Sequence, residues 1–87
     1  MSDRISVLLV DDHALVRQGV RAFLDAQPDL RVVAEAASGR EAVEAAKAHA
    51  PDVVLMDLLM PGMDGVETTR AVKEVSPASH VVVLTSH

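Results

Sequence analysis

Four short runs rich in apolar and β-branched residues divide the chain, and each has the length of a β-strand. Three of the runs are almost continuously apolar: residues 5–10, 52–56 and 80–85. Strands that are buried on both faces have this pattern, which is typical of a parallel sheet covered by helices. The run at 30–36 includes Arg31 and Glu35, so we expect that strand to lie nearer the sheet edge.

Helical patterns fill the segments between these runs. Apolar residues within 15–24 recur at spacings that place them on one helical stripe. Ser38 and Glu41 form an S-x-x-E capping box, and Asp64 with Glu67 forms a similar pair ahead of a third helical pattern. Each helical pattern is followed by a proline, at Pro28, Pro51 and Pro77. The order β-α-β-α-β-α-β predicts an open α/β sheet with right-handed crossovers.

Composition narrows the possible functions. The 87 residues can form one small domain, and a net charge of −5 argues against a nucleic-acid surface on this segment. The absence of cysteine excludes disulfides, thiolate metal sites and cysteine nucleophiles. The first apolar run is too short for a signal peptide or a membrane span. We therefore expect a cytoplasmic protein without a membrane partner.

The candidate chemistry lies where the predicted strands end. Asp11 and Asp12 follow the first strand, Asp57 follows the third, and Thr85 and Ser86 follow the fourth. Ligands of open parallel sheets bind beyond the carboxyl ends of the strands. If the first strand lies between the second and third, with the fourth beyond the third, these groups converge.

Three carboxylates in one crevice repel each other unless a cation relieves their charge. Oxygen ligands select a hard ion, so the sequence predicts a Mg²⁺ site made by Asp11, Asp12 and Asp57. Such a site suits phosphoryl transfer, because a carboxylate is already ionised and can attack phosphorus without a general base. The Thr85 hydroxyl and the Ser86 backbone N–H could then bind phosphoryl oxygens.

Simpler interpretations exist for several of these residues. Asp12 could also act as the N-cap of the first helix. His13 could be a ligand, although a solvent-facing position in the first helical turn is the commoner outcome. We interpret Pro61, Gly62 and Gly65 as residues that shape a tight loop and a helix start. The arginines of the helices are predicted to be solvated: Arg17, Arg21, Arg40 and Arg70.

The motifs "VDDH", "DLLMPGMDG" and "VVVLTSH", at these spacings, closely resemble the receiver domains of response regulators in bacterial two-component systems. The segments "DDHALVRQGVRAFL" and "VVAEAASGREAVE" are similar to the NarL/FixJ subfamily. The resemblance covers the whole chain. It implies a flavodoxin-like (CheY-like) doubly wound sheet, whose five strands have the order 2-1-3-4-5 in the family.

The resemblance also implies specific roles. Asp57 would be the phosphoacceptor, loaded by a sensor histidine kinase or by a small donor such as acetyl phosphate. Asp12 and Asp57 would bind Mg²⁺ directly, Asp11 through water, and Leu59 through its backbone carbonyl. Thr85 would be the switch hydroxyl. Such a protein is a phosphorylated signalling switch, and it catalyses only its own phosphorylation and dephosphorylation.

Compared with the family pattern, the sequence stops early. We expect residues 1–87 to be an incomplete receiver domain with strand order 2-1-3-4, truncated after the fourth strand. The family's fifth strand, its active-site lysine, its aromatic switch residue and its last two helices would be absent. In the full-length protein, the subfamily resemblance implies a homodimer. A LuxR-type helix-turn-helix domain after the receiver would bind DNA and regulate transcription.

Three other functions compete with this interpretation. A Mg²⁺-dependent aspartyl-phosphate phosphatase would need a second acid two residues after Asp57, where the chain has Leu59. A flavin or dinucleotide module would need a phosphate-binding loop after the first strand, where "VDDHAL" places anions instead. A pseudo-receiver, which binds partners without being phosphorylated, would usually have lost part of the acid set.

Overall fold

A computed structural model of the protein describes residues 4–57 and 64–84. The described elements alternate between strand and helix along the chain. They are β1 (Ile5–Val10), α1 (Ala14–Asp25), β2 (Leu30–Ala36), α2 (Gly39–His49), β3 (Val53–Asp57), α3 (Gly65–Val75) and β4 (His80–Leu84). The predicted element order is therefore confirmed.

The four strands form one parallel sheet in the order β2-β1-β3-β4. This order places β1 at the centre, next to β3, as the predicted convergence of acids requires. The pairing of β1 with β3 is regular and matches Val10 with Met56. The pairing of β1 with β2 shifts register between Val7 and Leu8. The fold is a CheY-like, doubly wound α/β sheet.

Helices cover both faces of the sheet, because β1 is apolar on both sides. Leu8 and Val10 lie in the larger core cluster, which contains Ala42 and Ala46 of α2 and Val72 of α3. Val7 lies in a smaller cluster on the opposite face, with Val32 of β2 and Leu24 of α1. Leu8, Met56, Val10 and Val54 are among the largest fully buried side chains. Burial of each such side chain contributes about 1.5–3 kcal/mol to the hydrophobic driving force.

Two strand predictions need correction. The third strand starts at Val53 rather than at Asp52, because the Asp52 backbone N–H donates to the Ser6 hydroxyl instead of pairing with the backbone of β1. The fourth strand is not buried on both faces, although its sequence is continuously apolar. Val83 and Leu84 are 40% and 46% exposed, since β4 is an edge strand of the described sheet.

The first helix does not begin with Asp12 as its N-cap, which was one of the alternatives for that residue. Its N-cap residue is His13, whose side chain makes no capping hydrogen bond, so the interpretation of Asp12 as N-cap is wrong. The cap predictions for the other helices are confirmed, since Ser38 accepts from the Glu41 N–H and Asp64 accepts from the Val66 and Glu67 N–H groups. Among the described residues, no helix has the length and apolar character needed to cross a membrane.

Candidate functional site

Carboxylates from two neighbouring strands meet at the edge of the sheet where the parallel strands have their carboxyl ends. Asp11 follows β1 directly, and Asp57 is the last residue of β3. The register that matches Val10 with Met56 brings the two acids side by side. Asp11, Asp12, His13 and Asp57 each offer one ligand atom, and these atoms all lie within 4.8 Å of one another. We refer to these four residues as the acidic cluster.

The loop between β1 and α1 holds Asp11 firmly. Its backbone N–H donates to the Ala36 carbonyl of β2 at 3.0 Å. Its side-chain Oδ1 accepts from the His13 backbone N–H at 2.8 Å, which turns the chain toward α1. The Asp11 side chain is 9% exposed, whereas that of Asp12 is 30% exposed. Asp11 thus forms the inner wall of the cluster and Asp12 its outer wall.

His13 belongs to the cluster, although the sequence favoured a solvent-facing role for it. Its Nδ1 lies 3.2 Å from Asp11 Oδ1 and 2.9 Å from Asp12 Oδ1, while the ring remains mostly exposed. A protonated ring there neutralises part of the acidic charge, and a neutral ring can offer a nitrogen ligand. The one sequence feature that pointed to this contact was the position of His13 directly after two acids.

Of the two arginines of α1, Arg17 is partly buried, which corrects the prediction that it is solvated, whereas Arg21 is exposed as predicted. Arg17 and Arg21 both bind the carboxylate of Glu35 on β2. The hydrogen bond from Arg21, reinforced by the one from Arg17, holds the pKa of Glu35 below its ordinary value despite partial burial. Arg17 also donates to the backbone carbonyl of Asp11. Arg40 and Arg70 are exposed as predicted, and Arg40 lies 3.8 Å from Glu44 along α2.

Several predicted site residues lie outside the described residues. These are Leu59, Pro61, Gly62, Thr85 and Ser86. Gly65 is described and is the first residue of α3, directly after the capping residue Asp64. The structure therefore brings together Asp11, Asp12 and Asp57 from the predicted set.

The chemistry of the donor set fits a metal ion. Three carboxylates from two strand ends supply hard oxygen donors, and His13 adds one nitrogen. Hard divalent cations prefer carboxylate, carbonyl and water oxygens. This acidic cluster could hold a metal ion.

Comparison with known proteins identifies the class. Residues 7–87 match the family model described as the response regulator receiver domain. The chain is 51% identical over 82 residues to the transcriptional regulatory protein LiaR of Bacillus subtilis (strain 168), an alignment that covers 94% of this chain. The chain belongs to the receiver domain family of response regulators, which act in phosphorelay signalling.

Solved structures agree with this class. The signal receiver domain of the putative response regulator NarL from Mycobacterium tuberculosis matches with a TM-score of 0.88 and 40% identity, covering 98% of this chain and 68% of that one. A chain from the crystal structure of the P1 domain of CheA3 in complex with CheY6 from R. sphaeroides matches with a TM-score of 0.83 and 36% identity. That alignment covers 100% of this chain and 67% of the other.

The chain spans only part of its full-length relatives. The alignment covers 39% of LiaR. The family assignment therefore concerns the receiver domain.

Proposed function

We propose that this chain accepts a phosphoryl group on Asp57 in a two-component phosphorelay, with Mg²⁺ as its cofactor. The observation that carries the proposal is the convergence of Asp57 with Asp11, Asp12 and His13 within 4.8 Å at the carboxyl edge of the sheet. The matched family acts in phosphorelay signalling, and its receiver domains include the NarL-like structure described above. In this proposal residues 1–87 form the amino-terminal part of the receiver domain.

In this mechanism the Asp57 carboxylate is the nucleophile. One of its oxygens attacks the phosphorus of a phosphohistidine, and the new O–P bond forms as the N–P bond breaks. The electron pair leaves with the imidazole nitrogen, which takes a proton from solvent. With acetyl phosphate, the departing group is acetate. A carboxylate nucleophile has no proton to lose, so this step needs no general base.

The acids around Asp57 supply the cation site. Asp12 and Asp57 would bind Mg²⁺ directly, Asp11 through water and Leu59 through its carbonyl. When bound, Mg²⁺ offsets the negative charge on the transferring phosphoryl oxygens. Thr85 would bind a phosphoryl oxygen of the phosphorylated form as the switch hydroxyl, and the Ser86 N–H would donate to another. Pro61 and Gly62 would shape the loop that leads into α3, and Gly65 would shape the start of that helix.

Partners and output follow from the relatives. A sensor histidine kinase is the proposed phosphodonor in the cytoplasm, supported by the similarity to a chain from the complex of CheA3 with CheY6. Regulation of transcription is the proposed output, supported by the similarity to LiaR, a transcriptional regulatory protein. In the full-length protein, DNA binding would belong to a LuxR-type carboxyl-terminal domain, and the receiver would switch it as part of a homodimer.

The metal requirement can be tested with acetyl phosphate as donor. The protein is incubated with acetyl phosphate and either MgCl₂ or EDTA, and loss of donor is followed by ³¹P NMR alongside the phosphorylated fraction. We expect incorporation only with Mg²⁺. Asp12→Asn should slow it at least about tenfold, because a charge-stabilising ligand is lost.

Asp29→Asn is the matched control for this experiment. Asp29 is exposed and precedes β2, at the opposite edge of the sheet from the cluster. It should leave the rate unchanged. Equal incorporation with EDTA and with MgCl₂ would contradict the proposed cofactor, and absence of incorporation under every condition would favour a pseudo-receiver.

A further inference from the structure

Arg17 connects the acidic loop to the outer strand of the sheet. Its Nη1 donates to the backbone carbonyl of Asp11 at 2.6 Å, and its Nε donates to Glu35 Oε1 at 2.8 Å. The side chain is 21% exposed, so both bonds are partly shielded from water. One guanidinium thus joins α1, the β1–α1 loop and β2.

Glu35 gives this connection a fixed anchor. Its second oxygen, Oε2, accepts from Arg21 Nη1, so both carboxylate oxygens are engaged. Glu35 is itself part of β2, whose next residue, Ala36, accepts the hydrogen bond from the Asp11 N–H. The Asp11 N–H is therefore bonded directly to Ala36 of β2, and the Asp11 carbonyl is linked through Arg17 to the neighbouring residue, Glu35.

The Asp11 carbonyl belongs to the peptide plane that leads into Asp12. Because a peptide unit is planar, holding this oxygen also fixes the direction of the Asp12 N–H and the position of its Cα. Asp11 is already held at its N–H by Ala36 and at Oδ1 by the His13 N–H. The bond from Arg17 holds the carbonyl, which completes the set of contacts that orient the acidic pair.

We infer that Arg17 is a positioning residue for the proposed Mg²⁺ site, which holds Asp11 and Asp12 in the geometry that binds the cation. This inference rests on the proposed function. Partners in the shell around metal ligands typically affect metal affinity by about 10–100-fold. The charge of Arg17 is offset by Glu35, so Arg17 supports the site through geometry. Its planar guanidinium donates two hydrogen bonds in fixed directions, one to Glu35 and one to the Asp11 carbonyl.

The test is a Mg²⁺ titration of the full chain followed by ¹H–¹⁵N correlation spectra. The amide signals of residues 11–13 report the dissociation constant, and the dispersion of all signals reports the fold. The proteins compared are the parent chain, Arg17→Gln, Arg17→Lys and Arg40→Gln. Arg40→Gln is the matched control, because it removes the same charge from an exposed arginine that pairs with Glu44 along α2 and not with Glu35.

We expect Arg17→Gln to raise the Mg²⁺ dissociation constant about tenfold. Arg17→Lys should give a similar loss, because one ammonium cannot reproduce both guanidinium bonds. Arg40→Gln should stay within about twofold of the parent, because it removes the same charge and leaves the bonds from Arg17 to Glu35 and Asp11 in place.

The outcomes separate the positioning role from the proposed function. Equal dissociation constants in all four proteins would overturn the positioning role and leave the Mg²⁺ site standing. Loss of signal dispersion in both Arg17 variants, with Arg40→Gln folded, would assign Arg17 to fold stability and overturn the inference. Absence of Mg²⁺ binding by the parent chain would overturn the proposed site and this inference with it.

Discussion

At the scale of single residues, hydrogen bonds between side chains and the backbone hold the strands at both their carboxyl ends and their amino ends. Opposite the acidic cluster, Asp52 Oδ2 accepts from the Ser6 N–H at 2.8 Å and from the Ser6 hydroxyl at 3.0 Å. The Asp52 N–H in turn donates to the Ser6 hydroxyl at 2.9 Å. This reciprocal pair joins β1 to the start of β3. It lowers the pKa of Asp52 below its ordinary value of 3.8, chiefly through the bond from the Ser6 backbone N–H.

A pH dependence of stability follows from this contact. A carboxyl group with a depressed pKa in the folded state stabilises the fold above its unfolded pKa, and this stabilisation is lost as pH falls through the folded pKa. The free energy of unfolding should therefore decrease as the pH drops below about 4. Asp52→Asn keeps an acceptor oxygen and cannot titrate, so its stability should fall less steeply between pH 5 and pH 3. Urea unfolding across this range measures the slope, and a slope for Asp52→Asn equal to that of the parent would contradict this account.

The residue scale also shows what the sequence could and could not predict. Asp11 and Asp57 were predictable neighbours, because the carboxyl ends of adjacent parallel strands meet at one edge. The role of Arg17 was not predictable, since its contact with Glu35 depends on how α1 packs beside β2. His13 was ambiguous for a similar reason, because its contact with both acids depends on where α1 begins.

At the scale of elements, helix ends are set by local chemistry. Helix α2 begins after Ser38, whose hydroxyl accepts from the Glu41 N–H at 3.1 Å. It ends at His49, and its C-cap residue, Ala50, adopts the left-handed conformation with φ of 42°. Non-glycine residues pay about 1–2 kcal/mol for this conformation. The sequence predicted the start of α2 from its capping box, but Pro51 alone did not reveal a left-handed residue before it.

Glycine at position 50 should stabilise the protein. Ala50→Gly removes the steric cost of the left-handed cap and should raise the free energy of unfolding by about 0.5–1 kcal/mol, measured by urea denaturation. Ala48→Gly is the control, because Ala48 is exposed within the same helix. It should lower the free energy by about 1 kcal/mol. Equal destabilisation by both substitutions would contradict this account of the cap.

At the scale of the whole molecule, β4 is an edge strand of the described sheet, and its apolar residues are exposed. Its sequence resembles an interior strand, yet Val82, Val83 and Leu84 are each at least 40% exposed. The sequence pattern correctly predicted a strand and its place next to β3. The apolar pattern alone did not predict exposure, because the burial of a strand depends on what lies beside it. The expected order 2-1-3-4, with the fourth strand at the end, did predict an exposed edge, and the described sheet has one.

Exposed apolar edge strands are templates for pairing with another chain. We therefore expect the 87-residue chain to self-associate, with a mass from light scattering that increases with concentration. Val83→Lys should shift the population toward monomer, because an edge lysine opposes strand pairing. Val66→Lys places the same charge on an exposed valine of α3, away from the edge, and should not. A concentration-independent monomer mass for the parent chain would contradict the expectation.

The central claim is that Asp57 is the phosphoacceptor, and one measurement tests it most directly. The chain is incubated with acetyl phosphate and Mg²⁺, its intact mass is recorded, and borohydride reduction followed by peptide mapping locates the acyl phosphate. The account predicts a gain of one phosphoryl group, located at Asp57 and absent from Asp57→Asn. A phosphoryl group that maps to Asp11 or Asp12, or that persists in Asp57→Asn, would contradict it.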